Sequence, residues 1–132
     1  MVIVGAGEAA EQVLRTLRTS ADASFVPVAM RGRIMPNYAT IDRDACIPFW
    51  KKLVEQVHGE SDCKYILQLS HGGRQRDVPG IEFAKGLSST DNKDPLHGFE
   101  CERMTTDQIQ DVVKAFGQGA RRAREAGADG VE

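Results

Sequence analysis

Three segments of the chain space their apolar residues at the 3.6-residue period of an amphipathic helix. The first two cover residues 8–18 and 47–58. The third opens at Thr105, and Gln108 three residues later completes a capping box, in which each side chain bonds the other residue's backbone N–H. It ends before Gly127, a residue type that commonly stops helices. The pattern therefore predicts three helices.

Short apolar runs lie between these helices and are typical of β-strands. The strongest run covers residues 64–69, and its near-continuous apolar character suits a strand buried on both faces, as in a parallel sheet. Weaker runs cover residues 1–4, 25–30 and 129–132. Pro27 lies in the second of these and has no N–H to donate, which predicts an edge strand or a strained one. Strands that alternate with helices predict an α/β fold with parallel strands.

Two polar segments carry no periodic pattern. Residues 32–44 contain Pro36 and Asn37 and are predicted to be loop. Residues 70–102 are rich in Gly, Ser, Asp, Asn and Pro and are predicted to form one long loop. A loop of that length inside a domain is usually functional or disordered. This segment is therefore either part of a functional site or without fixed structure.

The composition narrows the classes of function. The 132 residues allow one ordinary domain, and a net charge of −2 gives no electrostatic basis for binding nucleic acid or an anionic membrane. No apolar run approaches the roughly 20 residues of a membrane span, and no signal peptide is recognisable. Three scattered cysteines, Cys46, Cys63 and Cys101, form neither a disulfide framework nor a zinc-binding spacing. We therefore expect a cytoplasmic protein without a metal site.

A glycine-rich motif follows the first apolar run. Gly5, Gly7 and Ala10 match the pattern G-x-G-x-x-A between a strand and a helix. Such glycines allow a tight turn and bring a pyrophosphate close to the N-terminus of the helix. The motif is similar to the start of FAD- or NAD-binding Rossmann domains, but Met30 and Arg31 stand where an acidic residue is expected. Two interpretations stay open here: a dinucleotide site, and a plain βα unit.

A second motif combines a buried strand with polar residues at its end. The strand ends in Gln68, and His71, Gly72, Gly73 and Arg74 follow. The amide of Gln68 offers both donors and an acceptor, which suits the alternating C=O and N–H groups on the pyrimidine edge of a flavin. The two glycines allow the backbone to turn sharply beside a ligand. In (β/α)₈ barrels the active site lies at this carboxyl end of the strands.

Three segments in the same order resemble the old yellow enzymes and the related dienoyl-CoA reductases, which are FMN-dependent oxidoreductases. The segment LQLSHGGRQ resembles the family's LQL-x-HAGR-type signature, and PFWKKLVEQVH resembles the helix before it. The segment MTTDQIQDVVKAFGQGARRAREAGADGVE is similar to the next helix and strand. Gly32 and Arg33 fit the loop after the family's second strand. The resemblance covers residues 31–132.

The resemblance implies a TIM-type barrel that binds FMN. Carried over to this chain, it places Gln68 in a hydrogen bond with the isoalloxazine ring, and His71 and Arg74 in the loop beside the flavin. A reduced nicotinamide cofactor would then give hydride to the flavin, which passes it to the β-carbon of an activated alkene. The implied substrate is a small enone-type molecule.

The chain departs from the family's pattern at both ends. It stops at Glu132, before the family's His, Asn or His, and Tyr that bind the activated carbonyl, and the phosphate-binding loops are absent as well. A barrel of this type needs about 250 residues. We therefore predict an α/β chain with two parts: a Rossmann-like βα unit in residues 1–30, and an incomplete TIM-type (β/α) barrel segment in residues 31–132 that holds no catalytic residue. Its open sheet edges would allow association with another chain.

Three functions are compatible with this sequence. The first is an FMN-dependent oxidoreductase whose missing strands come from another chain. The second is an FAD- or NAD-binding module built on the N-terminal glycine motif. The third is a truncated gene product without catalytic activity.

Overall fold

The computed structural model describes five parts of the chain. They are the backbone of residues 2–4, and residues 26–29, 39–75, 85–96 and 98–132. The predicted helix over residues 8–18 and the motif residues Gly5, Gly7 and Ala10 lie outside the described residues.

The described residues contain two α-helices, and both were predicted from the apolar period. Helix α1 covers Ile47–Glu60 and follows a short 3-10 helix, Asp44–Cys46. Helix α2 covers Thr106–Glu125. The predicted capping box is confirmed: the Gln108 backbone N–H donates to Thr105 Oγ1 at 3.3 Å, and the Thr105 N–H donates to Gln108 Oε1 at 2.9 Å.

Short strands make up the rest of the regular structure. They are β1 (Val2–Val4), β2 (Val26–Pro27), β3 (Lys64–Leu67), β4 (Leu69–Ser70), β5 (Gly86–Ser88), β6 (Cys101–Arg103) and β7 (Gly130–Val131). The four predicted strand regions each contain one or more of these. The prediction of a single loop over residues 70–102 is wrong, because β5 lies within it, β6 overlaps its end, and the two strands pair in parallel. The segments Gly86–Ser88 and Cys101–Arg103 contain no apolar run, so the sequence showed no sign of them.

Strands β3 and β4 form one continuous line, and a parallel neighbour lies on each side of it. On one side, β2 pairs with β4, and the Val26 N–H donates to the Gln68 carbonyl at 2.8 Å. On the other side, β7 pairs with β3, and the Leu69 N–H donates to the Glu132 carbonyl at 2.8 Å. Three adjacent parallel strands covered by helices are the arrangement expected of a barrel segment.

Strand β1 departs from the parallel arrangement that the alternation of strands and helices predicted. It pairs with β3 in the antiparallel direction, with Val2 opposite Ile66 and Val4 opposite Lys64. Strand β1 therefore lies beside β3, the amino-terminal half of the β3–β4 line, and β2 lies beside β4, the carboxyl-terminal half. The apolar run of β1 predicted a strand, but an apolar run does not encode direction relative to a partner that is about sixty residues away.

Pro27 lies at a position of β2 whose backbone N–H is not needed for the hydrogen bonds to the neighbouring strand. The neighbouring residues Val26 and Val28 donate their N–H groups to β4, and the Pro27 carbonyl accepts from the Ile41 N–H at 3.0 Å. Since alternate residues of a strand bond in opposite directions, the proline nitrogen faces away from β4. A strand can therefore contain a proline at such a position and still form its hydrogen bonds with the neighbouring strand.

One apolar core lies between the helices and one face of the β3–β4 line. Tyr65 and Leu67 contribute from the strand, and Leu69 packs against them. The other buried residues of this core come from β2, α1, α2 and the segments next to them. They are Val26, Val28, Ile41, Trp50, Leu53, Val54, Val57, Cys63, Ala123 and Ala126. Because side chains alternate along a strand, the odd-numbered residues of β3 and β4 face the helices and the even-numbered residues face the opposite side.

Two arginines near the end of α2 tie this helix to the segment before α1. Arg122 Nε donates to Asp44 Oδ1 at 2.7 Å, and its Nη1 donates to the Ile41 carbonyl at 3.1 Å. Arg121 Nη2 also reaches Asp44 Oδ1. These hydrogen bonds, with that of Arg122 as the largest cause, lower the pKa of Asp44.

Asp129 joins the turn before β7 to β3 and α1. Its carboxylate accepts from the Tyr65 N–H at 2.8 Å and from Lys64 Nζ at 3.0 Å, and His58 Nε2 lies 2.7 Å away. The Tyr65 N–H is the largest cause that holds the pKa of Asp129 well below its usual range, followed by the Lys64 and His58 side chains. These contacts lie at the amino end of β3 and β7. In a barrel the active site is at the opposite end of the strands, and residues at the amino end contribute to stability.

We expect Asp129→Asn to lower the free energy of unfolding at about pH 7 by about 1 kcal/mol, because hydrogen bonds to a charged acceptor are weakened. The folded-state pKa of Asp129 is below its unfolded value of about 3.9, so the contribution of the carboxylate is complete above that pH and is lost as the pH falls below it. In urea denaturation, the difference from the wild type should therefore shrink toward about pH 3. Asp111→Asn is the control, since Asp111 is exposed and meets only Lys114. A difference that does not change with pH would contradict this account.

Candidate functional site

The carboxyl end of the β3–β4 line presents two polar side chains on the face opposite the helices. Gln68 and Ser70 are two residues apart, so they share that face, while Leu69 between them reaches α2. Among the described residues, Ser70 Oγ is buried and has no hydrogen-bond partner. A buried hydroxyl without a partner costs free energy, which makes Ser70 a candidate to bond a ligand group.

The chain turns sharply directly after β4. Gly73 has a φ of 60°, in the left-handed region that glycine adopts without strain, and its N–H donates to His71 Nδ1 at 3.2 Å. The turn closes with the Gln75 N–H donating to the Gly72 carbonyl at 3.0 Å. Because Nδ1 of His71 accepts a hydrogen bond, the proton of the neutral ring is on Nε2. The turn therefore sets the tautomer of this histidine.

Arg74 reaches from this turn to β5 and the segment after it. Its Nε donates to Ser88 Oγ at 3.3 Å, and its Nη2 donates to Thr90 Oγ1 at 3.0 Å. The arginine is half-buried and Ser88 is buried. The guanidinium is thus held in place by two hydroxyl groups that lie 14 and 16 residues further along the chain.

The two hydroxyls are themselves fixed by the small β5–β6 sheet. The Met104 N–H donates to the Ser88 carbonyl at 2.8 Å, which extends the ladder beyond β5. The buried thiol of Cys101 has one hydrogen to donate, and two carbonyl oxygens lie within its reach, that of Asn92 at 2.9 Å and that of Thr90 at 3.2 Å. The segment predicted as loop therefore has its own hydrogen-bonded frame, and that frame positions Arg74.

The predicted flavin-side residues Gln68, His71 and Arg74 all lie at or after the carboxyl end of the β3–β4 line, where a barrel places its active site. Residue-by-residue reasoning missed Ser70, Ser88 and Thr90. Ser70 lies two residues after Gln68, so strand alternation could have identified it. No signal in the sequence links Ser88 and Thr90 to Arg74, since hydroxyl residues are common in polar segments.

Other kinds of site find no support in the part of the chain that the structure describes. There, no three His, Cys, Asp or Glu side chains come together in a group that could hold a metal ion. Neither α1 nor α2 is long and apolar enough to cross a membrane, and the same is true of any other helix in the described residues.

Comparison with known proteins decides the family. Residues 20–132 match the model of the NADH:flavin oxidoreductase / NADH oxidase family. The chain belongs to this family. The predicted resemblance is confirmed, and the matched residues include β2 to β7 but not the glycine motif at Gly5, Gly7 and Ala10.

Relatives of the chain include an NADPH dehydrogenase from Halalkalibacterium halodurans, 35% identical over 106 residues, which are 80% of this chain and 29% of that protein. A cinnamate reductase from Clostridium sporogenes is 37% identical over 84 residues, which are 61% of this chain and 12% of that protein. This family member therefore spans less than a third of the length of either relative.

The fold is shared with solved structures of the family. The old yellow enzyme homologue of Zymomonas mobilis matches 81% of this chain and 32% of its own, with a TM-score of 0.69 and 21% identity. The predicted fold class, an incomplete TIM-type barrel segment, is confirmed by this match. The open edge at β7 and the helices on one face of the sheet are what a barrel segment presents.

Proposed function

We propose that this chain supplies part of the FMN site of an FMN-dependent oxidoreductase of the old yellow enzyme type, with residues 31–132 as the flavin-site part. The observation that carries the proposal is the pair Gln68 and Ser70. The two side chains share the face opposite the helices at the carboxyl end of the β3–β4 line, and the Ser70 hydroxyl is buried without a partner among the described residues. A ring edge with both donors and acceptors would satisfy both side chains.

The residues present fit a flavin. Gln68 would bind the pyrimidine edge of the isoalloxazine through its amide, and Ser70 would give or accept one further hydrogen bond. Gly72 and Gly73 allow the backbone to pass close to a flat ligand, and His71 lies in the same turn. When bound, FMN supplies hydride transfer; the protein's part is to bind, orient and exclude water.

The proposed reaction takes hydride from a reduced nicotinamide cofactor to an activated alkene through the flavin. The family's description names NADH, and one relative is named NADPH dehydrogenase, which supports a nicotinamide reductant. Another relative is named cinnamate reductase, which supports a conjugated alkene as the acceptor. We assign no catalytic residue among the described residues.

Binding of FMN to the purified chain tests the proposal. We expect the chain to change the visible absorbance of added FMN saturably, and we expect Gln68→Leu to weaken that binding about tenfold or more, because a ring edge loses its hydrogen-bonding partner. Gln75→Leu is the matched control, since Gln75 is an exposed glutamine in the same turn. FMN binding that is absent from the wild type, or equal in wild type and Gln68→Leu, would rule the proposed site out.

A further inference from the structure

Arg74 carries a positive charge that no acidic side chain neutralises within the described residues. Its two hydrogen bonds go to the hydroxyl oxygens of Ser88 and Thr90, which are neutral. Arg121 and Arg122, in contrast, both bond the carboxylate of Asp44. A half-buried guanidinium that is held by neutral acceptors attracts an anion.

The two hydroxyls use only one edge of the guanidinium. A guanidinium has five N–H donors in one plane. Nε and Nη2 form one side of that plane, and this side faces Ser88 and Thr90. The other edge, formed by Nη1 and Nη2, keeps a fork of parallel N–H groups. That fork matches two oxygens of a carboxylate or a phosphate.

We infer that Arg74 binds an oxyanion of the reacting small molecules, either the carboxylate of an alkene substrate or a phosphate of the nicotinamide cofactor. The inference rests on the proposed function, because Arg74 follows Gln68 and Ser70 at the same end of the β3–β4 line. It adds a substrate preference to that function: molecules with a negatively charged oxygen group bind better than their neutral analogues.

Ser88 and Thr90 act as positioning residues for this arginine. They accept from one side of the guanidinium and so direct its open fork, at distances of 3.3 and 3.0 Å. A long arginine side chain has many rotamers, and an anion that had to order them would bind more weakly. The β5–β6 sheet and the Cys101 thiol hold the two hydroxyls, so the anion site is organised before any ligand arrives.

The test is the NMR signal of the Arg74 Nε–H in the nitrogen-15-labelled chain, titrated with inorganic phosphate and with trans-cinnamate. We expect at least one anion to shift this signal saturably below about 20 mM, and Arg74→Gln to weaken the anion's effect on neighbouring amides about tenfold or more. Arg74→Lys keeps the charge without the fork and should weaken binding less. Arg103→Gln is the control, since Arg103 is exposed on β6.

The positioning role has its own measurement. Thr90→Val removes the hydroxyl acceptor and retains the shape of the side chain, so anion affinity should fall about threefold or more. Thr90→Ser restores a hydroxyl and should restore the affinity. A role in folding alone would lower thermal stability without this rescue of anion binding.

The ligands distinguish the two sources of the oxyanion. Saturation by cinnamate but not by its methyl ester or by phosphate supports a substrate carboxylate, and saturation by phosphate alone supports the nicotinamide cofactor. If neither anion moves the Arg74 signal, or if Arg74→Gln and Arg103→Gln weaken binding equally, the inference is wrong.

FMN binding is measured separately by absorbance. A chain that binds FMN but no anion would refute this inference alone, and a chain that binds an anion but no FMN would refute the proposed flavin site alone.

Discussion

Trp50→Ala lowers the free energy of unfolding by about 3–5 kcal/mol, the usual cost of removing a buried aromatic side chain. Trp50 is fully buried at the centre of the core, and its Nε1–H donates to the Thr40 carbonyl at 2.9 Å. The substitution leaves a cavity and a buried carbonyl without its donor. Since domains of this size are stable by only about 5–15 kcal/mol, this loss removes a large share of the total stability.

The neighbouring Phe49 provides the control for this prediction. Its ring packs edge-on against Trp50 at a centroid distance of 5.2 Å, but 48% of Phe49 is exposed. Phe49→Ala should therefore cost only about 1 kcal/mol. Urea denaturation followed by far-ultraviolet circular dichroism measures both variants, because Trp50 is the only tryptophan and its fluorescence disappears with it. Equal losses in the two variants would show that the core is not built around Trp50.

The second large effect is expected at Gly119, where α2 packs tightly against side chains from outside the helix. A Cβ atom at this position would lie 2.8 Å from Val28 Cγ1, 3.4 Å from Leu69 Cδ1 and 3.5 Å from Ile41 Cγ2. Valine and isoleucine side chains are stiff at χ1 and cannot turn aside easily. Gly119→Val should therefore destabilise the protein by about 2–3 kcal/mol through overpacking, despite the better helix propensity of valine.

Gly117 is the matched control on the same helix. Among the described residues, and leaving aside the backbone of its own helix and its chain neighbours, no atom lies within 4 Å of a Cβ built there. Gly117→Val should therefore change the free energy of unfolding by no more than about 0.5 kcal/mol. Thermal denaturation of the two variants side by side gives the comparison. A Gly119→Val variant as stable as Gly117→Val would mean that α2 can move away from β2 and β4 at no cost.

Helices and the main strand could be predicted because their signals are local. The apolar period of α1 and α2 and the capping box at Thr105 each depend on residues within a few positions of one another. The position of Gln68 at the end of a buried strand could be predicted for the same reason. The three-residue strands β5 and β6 could not, because their stability comes from pairing with each other and not from a sequence pattern.

The sequence by itself determined the α/β class, the helices, the buried strand and the family, and with them the placement of Gln68, His71 and Arg74 after that strand. Only the tertiary structure decided the direction of β1, the burial of a Ser70 hydroxyl that has no hydrogen-bond partner among the described residues, and the hydroxyl partners of Arg74. The physical reason is distance along the chain. Local propensity and periodicity act over a few residues, whereas these contacts join groups from 14 to about sixty residues apart and form only when the core is packed.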